Sequence, residues 1–514
     1  MHDSARTTPA SVSTAPWRPN DRFLLGVVLA VLTFWLFAQT LLNVIPGIRE
    51  ELGVVSTTAN LAVSITSLFS GIFIVVAGGL ADRIGRMRIL TAGIVLSIAG
   101  SLLIVLTPEE SGALTATMLL GGRILQGLSS ACIMPSALAL LKTGYEGAER
   151  QRAMSFFSIG TWGGSGLCSL FGGVMASSMF GWRSIFWLSI AVAVVSLVLL
   201  RGTPNTTAAG QAPRVDWPGL VTFVIALVAI NIYISQGPSI GWLSPLGLAL
   251  IGLTAVSGLA FLQIETHRAA PFIDLKLFGN PTFSGAVLSN FLLNSAAGTL
   301  IVVLGLVQVA GGMSALQSGL LTVGYLIAII ATIRVGEKLL QRLGPRKPMM
   351  WGCMITGFGV LLCSTTFLHL SEYVVLTVIG FTLFGIGLGF YATPSLDAAL
   401  SNVPDSSAGA AAGMYKMASS LGNAMGVAIS AAIYAAGQLV DPALIQEWGF
   451  FVGRQDNLSL RFGGAMGLLF NVTMVCVALA SIIVTIPRQG STPADRSAGP
   501  PTSRLDVAPP PLGN

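Results

Sequence analysis

Apolar runs of about 20 residues recur along nearly the whole chain, separated by short polar breaks, and they restrict the possible folds more than any single motif does. Wound as a helix with ~1.5 Å rise per residue, such a run covers a hydrocarbon core of ~30 Å. The balance of residues fits no water-exposed surface, because 53% are hydrophobic and only 9% charged, where a soluble domain carries about a quarter charged. Spanning helices are therefore the default. The runs lie near 23–46, 57–80, 88–107, 113–141, 152–178 and 184–201, then 217–235 and 245–264, then 282–307, 318–336, 348–370, 373–400, 408–437 and 464–486. This predicts an all-α membrane protein of about 14 transmembrane helices in a six, two, six arrangement. The corresponding divisions are a tail at 1–22, a six-helix bundle at 23–201, a linker with two extra helices at 202–264, a second bundle at 265–487 and a tail at 488–514.

Charge placement orients the bundle. With the N-terminus inside, all but six of the 27 Lys and Arg fall on the cytoplasmic side; Arg49, Arg183, Arg454 and Arg461 fall outside, and Arg123 and Lys416 fall within runs. That asymmetry follows the positive-inside rule and puts both termini in the cytoplasm. It also accounts for the net charge of +6 without a nucleic-acid partner. The run from Phe23 to Val44 is too long for a signal-peptide core and is expected to stay as the first helix. The Pro-, Ser- and Gly-rich end after Pro487 is expected to be solvated tail. Cys132, Cys168, Cys353, Cys363 and Cys476 all sit inside runs, as packing residues and not as a disulfide framework. The three histidines, His2, His267 and His369, form no cluster with a nucleophile or metal ligand, and no nucleotide-binding loop is present. No enzymatic activity, cofactor or metal is expected.

An internal repeat points to transport. Leu80-Ala81-Asp82-Arg83-Ile84-Gly85 after the second run matches Leu339-Leu340-Gln341-Arg342-Leu343-Gly344 after the second run of the last six, with Leu, Arg and Gly in register. Two parallel six-helix halves suit a carrier that rocks around a central site. The strongest local signal is Gly78-Gly79-Leu80-Ala81-Asp82-Arg83-Ile84-Gly85-Arg86-Met87-Arg88 in the turn between the second and third runs. Glycines there allow a tight turn, and Asp82 can pair with a nearby arginine or accept from helix-terminal N–H groups. Donor N–H groups of that kind are expected at the start of the thirteenth run, near Ser406 and Ser407. In the fourth run, Arg123-Ile124-Leu125-Gln126-Gly127 buries a permanent charge, which either holds a carboxylate and tunes a proton site or clamps helices together. The fifth run carries Gly160, Gly163, Gly164, Gly166, Gly172 and Gly173.

These stretches resemble the major facilitator superfamily: the 78–88 turn its loop signature, Arg123-Ile124-Leu125-Gln126-Gly127 its fourth-helix signature, and the glycines its antiporter motif. Ser165 and Ser169 stand where that last motif usually has prolines, which removes the usual cause of a kink. Asp216-Trp217-Pro218-Gly219 opens the seventh run as a helix start. The count of helices is similar to the fourteen-helix drug:proton antiporter branch, and four stretches (33–39, 158–166, 334–340 and 391–395) resemble its quinolone exporters. The resemblance implies proton-coupled export of fluoroquinolones and other amphipathic compounds by a monomer in the bilayer. The aspartate that many members carry midway along helix 1 is absent, with Ala38-Gln39-Thr40 in its place, which favours neutral, zwitterionic or singly cationic cargo.

Candidate residues follow from position and type. Asp82, Arg83, Arg123, Asp397 and Lys416 are candidates for coupling or gating, with Asp397 and Lys416 the one acid and the one lysine inside the runs as bounded above and able to pair across the Asn402–Ser407 turn. Trp35, Gln39, Gln126, Met134, Trp162, Tyr391 and Tyr415 are candidates to line a permissive pocket. The competing readings are an uptake carrier for a small nutrient or osmolyte, and a channel or non-transporting membrane sensor.

Overall fold

The computed structural model describes residues 19–145, 159–207, 216–268, 275–401, 408–449 and 456–487, with a few isolated residues between these stretches. The chain runs through α1 (21–52), α2 (Ser56–Ile84), α3 (Arg86–Val105), α4 (Ala113–Gly144), α5 (159–176) and α6 (Arg183–Leu200). A second group follows: α7 (Trp217–Ile240), α8 (Pro245–His267), α9 (Pro281–Val309), α10 (Ala315–Leu343), α11 (Arg346–Cys363), α12 (Leu370–Leu400), α13 (Ala408–Gly437) and α14 (Leu458–Thr485). No strand occurs among the described residues. Twelve of these helices are long and apolar enough to cross a membrane. The two below that measure are α5, described only from Ile159 onward, and α11, whose 18 residues open on Arg346 and Lys347.

Local chemistry sets the helix starts. The Asn20 side chain accepts from the Phe23 N–H at 3.0 Å, and Ser244 and Asn280 cap α8 and α9 in the same way. Asp216 caps α7 as its sequence context predicts, accepting from the Gly219 N–H at 3.3 Å. Several helices run past the boundaries set by apolar residues alone. α4 continues to Gly144, and α10 continues to Leu343 and takes Glu337 and Lys338 into the helix. Helical hydrogen bonding does not stop where hydrocarbon stops, and long charged side chains at the ends reach water. Asp397 is therefore not the one acid in a helical rod of the bundle.

α1 is not a uniform span. Asp21–Leu32 gives way to a π-helical stretch, Thr33–Ala38, before Leu41–Leu52 resumes the α-helix. A second π-helical stretch, Ile159–Gly163, opens α5 directly beside it. Gly164 there leaves room for Trp35 and Leu36 of α1. The irregularity that prolines at 165 and 169 would have supplied is provided by π turns.

The chain rises and falls, so alternate turns mark two ends of the bundle: the motif end, where the 78–88 turn lies, and the far end, where α1 passes into α2. Glycine contacts join the helices along two seams. α13 lies on α2, where Leu421 fills the space beside Gly71 and the Asn423 amide donates to Ser67 Oγ at 3.1 Å. α5 lies on α10, where Gly166 meets Leu326 and Gly173 meets the Ala315 carbonyl. α7 is fastened to α2 by Ser64 Oγ donating to Asn231 Oδ1 at 3.2 Å. α8 packs on α7, with the Phe223 and Phe261 rings 4.9 Å apart, and turns Val256, Leu259 and Leu262 outward. The groove between α7 and α8, about 520 Å³, has only Thr254 as a polar lining residue, which suits lipid chains.

Candidate functional site

At the motif end, Asp82 accepts from Arg86, with Nε at 3.0 Å and Nη2 at 2.9 Å, while Arg86 Nη1 donates to Thr143 Oγ1 on α4 at 3.3 Å. The turn between α2 and α3 depends on Gly85, whose φ of 119° is one that residues with a Cβ rarely adopt. Asn205, from the segment after α6, sits against Gly85, donates to the Ile84 carbonyl at 3.1 Å and accepts from the Arg88 N–H at 3.3 Å. Thr206 accepts from the Arg86 N–H at 2.9 Å. The exposed helix ends of the motif are thus capped by a neighbour about 120 residues away in sequence, as the 121-residue separation of Asn205 and Ile84 records. Arg83 is exposed. The helix start near Ser406 and Ser407, expected to donate N–H groups to Asp82, lies outside the described residues.

Arg123 is fully buried at 0% exposure. Its Nε donates to the Ala62 carbonyl of α2 at 2.8 Å, and its Nη1 donates to the Ala38 carbonyl of α1 at 2.7 Å and to Gln126 Oε1 at 2.6 Å. Gln126 passes the chain on to Ser101 Oγ of α3 at 3.2 Å. No carboxylate is among these partners. The observed contacts are those of a helix clamp, and the expectation that Arg123 holds an acid finds no such acid among the described residues. The physical reason lies in α1: Ala38 ends the π-helical stretch, where i→i+4 pairing is lost, and Arg123 takes the carbonyl so released. Nη2 of Arg123 remains buried without a partner.

Asp397 and Lys416 do not form an ion pair, and both side chains are exposed. No carboxylate within salt-bridge distance of Lys416 is found among the described residues. Of the pocket candidates, Tyr391 shares a 2.7 Å hydrogen bond with Ser289, and the Tyr415 hydroxyl donates to Ser395 at 3.0 Å. Both tyrosines are buried and engaged, so in this conformation they hold α12 to its neighbours. Gln39 is buried, Met134 is partly buried between two apolar clusters, and Trp35 buries its indole N–H without a partner. The Trp162 side chain lies outside the described residues.

The most connected polar group at the far end is one that the motifs did not indicate. Asn43, 0% exposed, donates from Nδ2 to the Ser169 carbonyl of α5 at 2.6 Å and to the Ala315 carbonyl of α10 at 2.9 Å. Its Oδ1 accepts from Gln308 Nε2 of α9 at 3.0 Å and from Ser318 Oγ of α10 at 2.9 Å. Gln308 also reaches the Asn43 carbonyl at 3.0 Å. One neutral side chain therefore joins α1 and α5 to α9 and α10 and closes the far end. A Cβ on Gly173 or Gly319 would collide with the facing backbone, so the glycines are what let α5 and α10 approach closely enough for these bonds.

A broken α1 beside a broken α5, a capped loop at one end and a polar clasp at the other are features of a carrier with two alternately closing ends. The family model of the Major Facilitator Superfamily matches residues 23–427 and 283–488, and the chain belongs to that superfamily. It is a multi-pass membrane transporter and not an enzyme. Among its relatives, the quinolone resistance protein NorB of Staphylococcus aureus (strain MRSA252) is 45% identical over 474 residues, covering 92% of this chain and 97% of that protein. The protein of the same name from strain MSSA476 is 46% identical over 475 residues, with the same coverage. Among solved structures, a D-xylose-proton symporter superposes with a TM-score of 0.62 at 15% identity, covering 91% of this chain and 98% of that one. At that identity the likeness concerns the fold alone.

Proposed function

We propose that this protein is a proton-coupled multidrug efflux transporter that exports fluoroquinolone-like and other amphipathic compounds across a bacterial cell (inner) membrane. The observation that carries the reading is the identity of 45% to quinolone resistance protein NorB across 92% of the chain. The neutral character of the residues that replace the helix 1 aspartate supports zwitterionic cargo. In this reading fourteen helices cross the bilayer, α1–α6 and α9–α14 form the two halves at 23–201 and 265–487, α7 and α8 form the insert at 202–264, and a single chain works as a monomer. Described helices occur for all fourteen predicted runs, which supports the count. The Lys and Arg bias supports a cytoplasmic motif end and an outer far end, so the Asn43 clasp is the closed outer gate.

Asp82 and Arg83 belong to the inner gate, Arg123 keeps the π-helical part of α1 in register, and Asp397 with Lys416 serves proton coupling. Support for the last pair is that both are exposed, without an ion-pair partner among the described residues, and toward the motif end, where a carboxylate can gain and lose a proton as its surroundings change. Everted vesicles carrying the protein and a preformed internal proton load provide the test. Adding a fluoroquinolone is expected to release protons, and Asp397→Asn protein at matched levels is expected to bind drug without releasing them. Intact drug-driven release by well-expressed Asp397→Asn would remove Asp397 from the coupling path. No release by the unaltered protein with any cargo would favour an uptake carrier, channel or sensor.

A further inference from the structure

The charge count puts four arginines at the far end, and two of the three described ones have partners. Arg183 pairs with Glu51 and with Glu109 at 3.3 Å. Arg461 donates to the Thr366 carbonyl at 2.6 Å and the Leu368 carbonyl at 3.2 Å. Arg454 lies outside the described residues. Among the described residues Arg49 has no acidic partner within salt-bridge distance, and its Nε is buried with no hydrogen bond. It lines a crevice of about 60 Å³ between the two halves, bounded also by Ile45, Asn60, Val302, Tyr434 and Gln438. The Tyr434 hydroxyl is a second buried group in that crevice without a partner. Arg49 and Asn43 are both on Leu41–Leu52, so the crevice adjoins the clasp.

An arginine that keeps an empty donor beside an empty phenol, between walls of Ile45 and Val302, is costly unless something completes it. Two oxygens in a plane match the guanidinium fork, and the phenol can donate to either one. The volume is that of about two water molecules, enough for a carboxylate and not for a whole drug. We propose that Arg49 and Tyr434 form a carboxylate subsite on the exit route, which engages the acid group of the cargo as the outer gate opens and favours carboxylate-bearing compounds. This rests on the efflux reading and adds to it a specificity residue. Fluoroquinolones carry a carboxylate, and dye cations such as ethidium do not.

The test compares the full-length protein with Arg49→Gln, Arg49→Lys and Tyr434→Phe in everted vesicles, at matched protein levels. Accumulation is followed for norfloxacin, its methyl ester and ethidium. Arg49→Gln is expected to reduce the norfloxacin rate about tenfold, as for the loss of a charge-assisted hydrogen bond, and to leave the ester and ethidium within about twofold. Arg49→Lys is expected to fall between, since it keeps the charge and loses the fork. Equal loss for all three compounds would overturn the subsite in favour of a structural or lipid-headgroup role for Arg49, and so would no loss for any. If the unaltered protein moves none of them, the efflux reading fails; if it moves them and Arg49→Gln is unselective, the subsite alone fails.

Discussion

The buried arginine shows how much one position can carry. Arg123 satisfies carbonyls from two other helices and an amide from its own, each a charge-assisted contact of about 1.5–3 kcal/mol in typical cases. Lysine retains the charge but presents a point where three directed donors are needed. Arg123→Lys is expected to lower folded yield and to cut quinolone resistance several-fold, with normal resistance at normal yield counting against the clamp. The local half of this site was legible in the sequence, because Arg123 and Gln126 lie three residues apart and a charge inside an apolar run is conspicuous. Its target was not. The Ala38 carbonyl is a backbone group, freed by a π-helical stretch that Thr33–Ala38 does not announce by composition. The same limit hid Asn43, whose partners Gln308 and Ala315 are 265 and 272 residues away and whose own side chain is uncharged.

At the level of elements, α5 decides how tightly the far end shuts. Its glycines were readable as packing residues, but not the surfaces they meet, which needed the fold: α1 at Gly164 and Gly172, α10 at Gly166 and Gly173. A side chain at 173 would drive into the Ala315 backbone and pull Ser169 away from Asn43. Gly173→Leu is therefore expected to hold the far end open and to bring quinolone resistance close to that of cells without the protein. A cysteine introduced by Ser318→Cys should at the same time become several-fold more reactive toward a membrane-impermeant maleimide added from outside. Unchanged reactivity with full resistance would show that the α5–α10 contact does not gate. The helix ends were the least readable part of each element, since α10 and α4 carry charged residues through their final turns and polarity alone marks no boundary there.

Over the whole molecule, the two ends are built differently. The motif end uses ionised groups, Asp82 with Arg86, reinforced by caps from Asn205 and Thr206. At the far end the clasp between the halves uses amides, hydroxyls and carbonyls, with the ion pairs of Arg183 to Glu51 and Glu109 confined to the first half. The even spread of apolar runs and the position of the 78–88 turn made the architecture and the motif end readable from the sequence. The closure of the far end emerges only when α1, α5, α9 and α10 are assembled. That difference bears on energetics in the membrane field. Moving one elementary charge through ~100 mV is worth ~2.3 kcal/mol, and parting the Asn43 clasp moves none. The hydrogen bonds of the clasp therefore add no voltage dependence of their own, and any electrical dependence of turnover has to come from charges outside it: Arg49 on the same helical segment, the cargo and the exchanged proton. A cell whose membrane potential has collapsed while its pH gradient persists would find these bonds no harder to part.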